Sequence, residues 1–434
     1  MASQDPSPAL SAALASPDPE AALKQLIQQP AGPKDEPLLR DKEQAILGLA
    51  ERYRDQGDAA ALASVVRDSR PLVEHLAKAK TAKLIRTLLS FFSSIPNSLD
   101  TQIELTKESA EWAAKEKRVF LKQSLEVRLV GLYIETSQYP SALTLISSLL
   151  RELKKLDDKL ILTEVHLLES RVNHALSNLP KAKAALTSAR TAANSIYCPP
   201  TLQAQLDAMS GVLHAEEKDY KTAYSYFFES FEALSNLDSG GVSASAAAAE
   251  GGVDRAKVVS ALKYMLLCKV MLGLADDVAS LSTTKTAARY AGPDVDALKA
   301  VAKAHQDRDL QAFERELGKW KKELSDDPIV RSHLASLYDT LLEQNLVRII
   351  EPYSRVEIDQ VAKLVGQPRR DVENKLSQMI LDKVFNGILD QGAGCLIVFD
   401  EQEVDKTYDT TLETIGQVSQ VVEQLFQRTR TAVI

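Results

Sequence analysis

The chain has 434 residues, and 45% of them are apolar, which excludes a disordered chain and predicts a sizeable core in more than one domain. The formal net charge is −8 and the pI is near 5.5, which argues against general nucleic-acid binding because phosphate contacts need clustered Lys and Arg. Glycine and proline are scarce, at 17 each, so we expect a mostly helical fold.

The cysteines and the apolar runs predict a soluble intracellular protein. Cys198, Cys268 and Cys395 lie far apart, which is not the pattern of a disulfide framework and favours a reducing compartment. The first basic residue is Lys24, so we expect no secretory signal. The most apolar run, Tyr264–Ala275, contains a lysine and is too short to span a bilayer, which needs about 20 apolar residues.

Residues 1–37 are rich in proline, alanine and serine and predict a loose leader. Within it, Asp18 precedes Pro19 as a helix cap would, and a short helix is expected to run to about Gln29.

Residues 38–330 predict an all-α solenoid of helical hairpins that resemble tetratricopeptide repeats. Three segments place a large apolar residue three positions before an alanine, and these alanines are 40 and 41 residues apart. A small residue lets paired helices approach closely, and hairpins with one uncovered face must stack. Weaker copies fit at Ala61 and Ala312; an ordinary helical bundle is the alternative. The three pairs are Tyr139/Ala142, Leu179/Ala182 and Tyr220/Ala223.

The array is interrupted at residues 236–254, NLDSGGVSASAAAAEGGVD, whose glycine, serine and alanine content predicts a flexible inserted loop.

Residues 331–400 predict a winged-helix module, the one place where we expect a sheet. Ser354 and Glu357 have the spacing of a capping box, and Gly366 ends the helix that follows. The next helix starts near Pro368, and two β-rich runs around QGAG then predict a hairpin. Its second strand is predicted to offer an apolar wing edge for pairing with another protein's strand. That candidate interface consists of Cys395, Leu396, Ile397, Val398 and Phe399.

Residues 401–434 predict a long helix, from about Glu403 to Thr429, with an apolar stripe that has no obvious partner in the chain. A helix with such a stripe needs something to pack on, so we expect it to join a helix bundle formed with other proteins. The candidate bundle residues are Leu412, Ile415, Val418, Val422, Leu425 and Phe426, and Val421 widens the stripe.

No catalytic constellation is found, so the sequence predicts neither an enzyme nor a cofactor or metal site. Phosphate loops, GxSxG and HExxH are missing from the printed sequence, and its six histidines are dispersed. Adjacent acidic pairs such as Asp157/Asp158 are expected to cap helices rather than to catalyse.

The helix–turn–helix at Val361–Ile380 has the outline of a DNA-reading motif, but its charges do not favour DNA. From Pro368 to Asp382 the basic and acidic residues cancel, and Asp371 and Glu373 would face phosphates. We therefore expect this module to dock on protein.

A helical-repeat array followed by a winged helix and a lone helix resembles the PCI family, which supplies scaffold subunits to the proteasome lid, the signalosome and translation initiation factor three. The similarity runs roughly from Leu38 to the end. It is carried by AYSYFFESFEAL (Ala223–Leu234), SALKYMLLCKVMLG (Ser260–Gly273) and IIEPYSRVEIDQVAKLVG (Ile349–Gly366), which look like a lid member of the family. A signalosome member shares the architecture and is the main alternative, and a ribosome-associated initiation-factor type is another. The inserted loop looks unusual for the lid member.

The resemblance implies a non-catalytic scaffold in ubiquitin-dependent degradation, located in the cytoplasm and nucleus. Family winged helices pack side by side through their small sheets, and the C-terminal helices form a bundle that nucleates lid assembly. The implied partners are other PCI subunits of the lid, its deubiquitinating subunit, ATPase subunits of the base and the outer ring of the core particle. The resemblance implies a hetero-oligomer, with neither nucleic acid nor membrane as a partner.

Overall fold

In the computed structural model, the described residues are 19–28, 36–70, 78–96, 98–239, 255–325, 327–399 and 406–432. They form two compact units, one up to Leu298 and one from Lys299 onward, and each is described by itself.

Over its described residues, the first unit is built from helices. In chain order they are α1 (Pro19–Gln28), α2 (Glu36–Gln56), α3 (Ala59–Asp68), α4 (Lys78–Phe91), a 3₁₀ turn (Phe92–Ser94), α5 (Leu99–Lys115), α6 (Val119–Glu135), α7 (Tyr139–Leu156), α8 (Lys159–Ala175), α9 (Leu179–Asn194), α10 (Pro200–Glu216), α11 (Tyr220–Ser239), α12 (Arg255–Met271), α13 (Ala275–Thr283) and α14 (Lys285–Ala288). Helix α15 (Pro293–Gln306) contains the boundary between the two units, at residues 298 and 299.

The second unit combines helices with one small sheet. Its elements are α16 (Leu310–Lys319), α17 (Lys321–Ser325), α18 (Pro328–Ile350), β1 (Arg355–Glu357), α19 (Ile358–Val365), α20 (Arg369–Leu381), β2 (Asn386–Asp390), β3 (Cys395–Phe399) and α21 (Lys406–Ala432). The predicted class, an all-α solenoid followed by a winged helix and a C-terminal helix, is confirmed.

The same turn closes helix after helix. At Ser177, for example, φ is +58°; its amide donates to the carbonyl of His174, and the next amide, of Asn178, donates to that of Asn173. This pair of bonds satisfies carbonyls that a helix end would leave orphaned. In the described residues the same two bonds and a positive φ recur at Gly57, Lys117, Ser137, Lys218, Gly273, Arg308 and, before β2, Lys383.

The residue after the left-handed one frequently caps the next helix. Asp58 accepts hydrogen bonds from the amides of Ala60 and Ala61, and Asp309 accepts one from that of Ala312. Asn178 and Asp219 do the same more weakly. The turn therefore ends one helix and starts the next within a few residues.

The alanines of the repeat motif lie where paired helices cross. Tyr139, Leu179 and Tyr220 each begin a helix, and the alanine three residues on is 0% exposed in each case. Across the crossing of α8 and α9, the hydroxyl of Ser170 donates to the carbonyl of Ala182 at 2.9 Å. The predicted close approach is confirmed for α8 and α9, and the full burial of the other two alanines agrees with it.

Two weaker copies of the motif were misplaced by one residue. Helix α3 starts at Ala59 and α16 at Leu310, so the fully buried residue three positions on is Leu62 in one and Phe313 in the other. The predicted Ala61 and Ala312 are only half-buried. The shift arises because the turn geometry, rather than the alanine, fixes which position points inward.

The N-terminal helix α1 is part of the fold rather than of a loose leader. Leu23 is 0% exposed and belongs to a core cluster with Leu39, Ile46 and Leu49. Lys42 on α2 donates to the carbonyl of Ile27 at 3.2 Å. Residues 1–18, which include the predicted cap at Asp18, lie outside the described residues.

The first residues of the predicted insertion, 236–239, belong to a helix. Helix α11 continues to Ser239, and residues 240–254 lie outside the described part of the chain, so the loop stays a prediction for them.

Replacing Gly273 tests the left-handed turn that closes helix α12. Gly273 has φ +74° and open space where a Cβ would stand, so Gly273→Ala adds only backbone strain of about 1 kcal/mol. We expect the thermal midpoint to fall by about 1–2 °C. Gly131→Ala is the control, because this glycine lies inside α6 with open space around it and alanine there is favoured by about 0.5–1 kcal/mol. Equal midpoints for the two variants would contradict the assignment.

A second glycine tests helix packing. A Cβ on Gly211 of α10 would lie 2.7 Å from the ring of Phe227 of α11, which is 1% exposed. Gly211→Ala should therefore destabilise the protein by about 1–3 kcal/mol through overpacking. Combining it with Phe227→Leu removes the clash, so the double variant should lose less than the sum of the single losses in chemical denaturation. Additive losses would show that the ring is not the obstacle.

Candidate interaction surfaces

The C-terminal helix α21 presents a broad apolar stripe that the rest of the described chain leaves uncovered. Every side chain described between 407 and 430 is exposed. At 100° per residue the stripe covers about half of the helix circumference. Glu413, Gln417, Gln420 and Gln424 occupy the opposite face. The stripe contains Leu412 (64% exposed), Ile415 (61%), Val418 (57%), Val421 (55%), Val422 (60%), Leu425 (56%) and Phe426 (65%).

Such a stripe is unusual for a single chain in water. Burying one leucine, isoleucine or phenylalanine side chain fully is worth about 1.5–3 kcal/mol. The predicted helix is confirmed, although it begins at Lys406 and ends at Ala432. Its role in a bundle stays a prediction.

The sheet of the winged helix has three strands in the order β1–β3–β2. The pair Arg355↔Ile397 joins β1 to β3, and Ile388↔Ile397 joins β2 to β3, both antiparallel. The prediction that Cys395–Phe399 forms the wing edge is therefore wrong about strand order, because β3 is bonded on both sides. The open backbone edges belong to β1 and β2.

The missed strand β1 also corrects the predicted capping box. The carbonyl of Ser354 accepts a hydrogen bond from the amide of Val398 at 2.9 Å, so this segment pairs with β3. Glu357 precedes α19 but makes no side-chain cap bond. A partner some forty residues away in sequence takes the place of a local cap.

The residues of β3 divide between the two faces of the sheet. Leu396 is 0% exposed and Cys395 is 5% exposed, so neither offers a contact surface as it stands. Ile397 and Val398 are half-buried. Phe399 is 48% exposed and pairs with Asn386, on the same face as Ile388, which is 56% exposed. Of the five predicted edge residues, Phe399 alone is largely accessible, and whether any of them contacts a partner stays untested.

Two of the three basic side chains of α20, those of Arg369 and Lys375, are engaged with carboxylates. Arg369 binds Asp359 at 3.1 Å and Glu373 at 2.6 Å, and both carboxylates hold the pKa of its guanidinium above the usual value. Lys375 binds Glu343 at 2.8 Å. These pairings leave little positive charge for phosphates on the helix that would read DNA.

A hydrogen-bonded cluster joins the winged helix to the helices before it within the second unit. Gln367, in the turn between α19 and α20, donates to Glu314 of α16 and to the hydroxyl of Tyr338 of α18. That hydroxyl donates to Glu314 at 2.9 Å. Burial and the neighbouring Glu314 raise the pKa of Tyr338 to about 12, so it stays a donor at neutral pH.

One histidine and one acidic pair make contacts that hold helices in place or cap them. His174 of α8 bonds to Glu216 of α10 at 2.5 Å, and Asp158 accepts from the amide of Ile161 at the start of α8. No group of three or more potential metal ligands occurs among the described residues. No described helix combines the length and the hydropathy that crossing a bilayer requires.

Comparison with known proteins matches family models to three parts of the chain. Three family models match it: the N-terminal domain of the 26S proteasome regulatory subunit RPN6 at residues 9–136, the PCI domain at 317–400, and the C-terminal helix domain of RPN6 at 404–430. The last match coincides with the exposed helix α21.

Full-length relatives agree with these matches. The probable 26S proteasome regulatory subunit rpn6 of Schizosaccharomyces pombe is 51% identical over 401 residues, 92% of each chain. The 26S proteasome non-ATPase regulatory subunit 11 homolog of Arabidopsis thaliana is 51% identical over 94% of this chain and 93% of its own. The RPN6 subunit of Saccharomyces cerevisiae is 48% identical over 91% and 88%. The chain therefore belongs to the Rpn6 family of 26S proteasome regulatory subunits and carries that family's PCI domain and C-terminal helix.

Proposed function

We propose that this chain is a non-catalytic scaffold of the proteasome lid, which braces lid, ATPase base and core particle and supports lid assembly. The observation that carries the proposal is the uncovered stripe of α21, from Leu412 to Phe426. A free chain with this stripe exposes several leucine-sized side chains to water, whereas a helix bundle formed with other subunits would bury them.

Two further features support a role in docking rather than chemistry. The winged helix has open backbone edges at β1 and β2, which are surfaces that a neighbouring strand can extend. The stacked hairpins of the first unit provide a long surface over which contacts can be distributed. The partners we propose are other PCI subunits of the lid, the deubiquitinating subunit, base ATPases and the outer ring of the core particle.

The alternatives receive less support. A signalosome subunit is disfavoured because the relatives that match over nearly the full length are named as proteasome subunits. An RNA-bound factor is disfavoured by the ion pairs of Arg369 and Lys375. The proposal locates the chain in the cytoplasm and nucleus, where proteasome regulatory subunits generally reside.

The stripe is tested by the triple variant Leu412→Asp, Ile415→Asp and Val422→Asp. All three side chains are exposed, so the isolated chain should keep its helical circular dichroism and its thermal midpoint. Incorporation into proteasomes should fall at least about tenfold, because three apolar contacts worth about 1.5–3 kcal/mol each would be replaced by buried charges. Co-sedimentation of the tagged chain with proteasomes measures this loss.

The matched control carries three aspartates on the opposite face of the same helix: Gln417→Asp, Gln420→Asp and Gln424→Asp. This control adds the same charge to the helix as the stripe variant and has a comparable helix propensity, but it leaves the apolar stripe intact. We expect normal incorporation. If both triple variants incorporate equally well, or both fail equally, the stripe is not the docking surface.

A further inference from the structure

A row of exposed apolar side chains follows one edge of the first unit. Phe120 is the second residue of α6 and is 70% exposed, Leu156 ends α7 and is 51% exposed, and Tyr197 lies before α10 and is 87% exposed. Val119 (45%) and Leu160 (39%) complete the row. We call these five residues the apolar edge. It is far from α21 in sequence and lies on the stacked hairpins of the first unit.

The topology brings these residues to the same edge. Consecutive helices run antiparallel, so the start of α6, the end of α7 and the start of α8 adjoin. A contact of 3.1 Å between Lys122 of α6 and Glu152 of α7 confirms that the first two ends meet. The bond between His174 and Glu216 joins the far ends of α8 and α10, so their starting ends also lie on one side.

The opposite edge of the same hairpins exposes less apolar surface. Its described turns in the same part of the chain expose one large apolar side chain, that of Leu176 at 46%. The apolar edge instead exposes aromatic rings, which bury a large area at low cost in side-chain entropy. Aromatic residues exposed to this extent are typical of binding anchors.

The charges around the apolar edge indicate what covers it. Five lysines lie in the two turns that contain Phe120 and Leu156, and none of them forms an ion pair within the described residues. Three acidic residues, Glu116, Asp157 and Asp158, lie among them, and Asp158 is occupied as a helix cap. The chain as a whole has a charge of −8, so this edge departs from the average. The lysines are Lys115, Lys117, Lys154, Lys155 and Lys159.

We infer that the apolar edge binds an acidic protein segment with at least two large apolar side chains, supplied by another polypeptide. The apolar side chains would pack on Phe120, Leu156 and Tyr197, and the carboxylates would pair with the unpaired lysines. The acidic residues among the lysines disfavour a uniformly charged polyanion such as RNA or an anionic membrane, because they would lie against its phosphates. The inference concerns a surface separate from α21.

The test uses the full chain incorporated into proteasomes, with a photo-crosslinking amino acid at position 120 or 197. Both sites are mostly exposed, so the chain should fold, which the thermal midpoint verifies. Irradiation should attach one and the same partner segment from both positions, and sequencing by mass spectrometry should show it to be net negative with large apolar residues. Position 176, on the opposite edge, is the control and should not yield that segment.

Charge reversal separates binding from mere proximity. Lys154→Glu with Lys155→Glu should lower the crosslinking yield from position 120 by about tenfold. Lys181→Glu with Lys221→Glu is the matched control, because both of these lysines are exposed and lie at the opposite edge, and it should leave the yield unchanged. Crosslinks to RNA, to a second copy of this chain, to a basic segment or to nothing would each overturn the inference. Co-sedimentation of the same chain with proteasomes is measured in parallel. A chain that does not co-sediment contradicts the lid proposal, whereas a chain that co-sediments without the expected crosslink contradicts the inference about the apolar edge.

Discussion

Helix ends in the described part of this chain are closed repeatedly by the same two backbone hydrogen bonds, and the residue between them adopts a left-handed conformation. From Gly57 to Arg308 this turn sets the direction of the helix that follows and thereby the position, three residues into it, that faces the neighbouring helix. Only two of these helix-to-helix turns use glycine. The others place serine, lysine or arginine at positive φ at a cost of about 1–2 kcal/mol each, which the packing of the hairpins must offset.

The packing between the hairpins offsets the free-energy cost of these left-handed residues. In the helix that begins at Leu179, the residue three positions after the start is Ala182. There the backbones approach closely enough for the hydroxyl of Ser170 to donate a hydrogen bond to the carbonyl of Ala182 on the neighbouring helix. Where the residue three positions after the start is Phe313 or Leu62, the same position is filled by a large side chain and remains fully buried. The turn geometry is thus kept while the volume at the crossing varies, since a core accepts different side chains if the total volume is conserved.

The surfaces left over from this packing are where the chain can act. In helix α21 an entire apolar face is uncovered, in the winged helix two strand edges are open, and along the apolar edge aromatic rings lie beside unpaired lysines. Among the described residues there is no group of three or more potential metal ligands. The proposed scaffold role rests on these separate surfaces, which would let the chain hold more than one neighbour at a time.

The sequence by itself determined the helices, the repeat, the winged-helix outline and the stripe of α21, because each depends on a periodicity of 3.6 residues, on glycine and proline, or on local apolar runs. It could not determine that β3 is the central strand, because β1 has three residues, one of them apolar, and gains its stability from Ser354 and Arg355 pairing with residues about forty positions away. Nor could it place Ala61 or Ala312 correctly, or bring Phe120, Leu156 and Tyr197 to one edge. Those outcomes depend on which helix ends adjoin, and only the stacking of hairpins in three dimensions decides that.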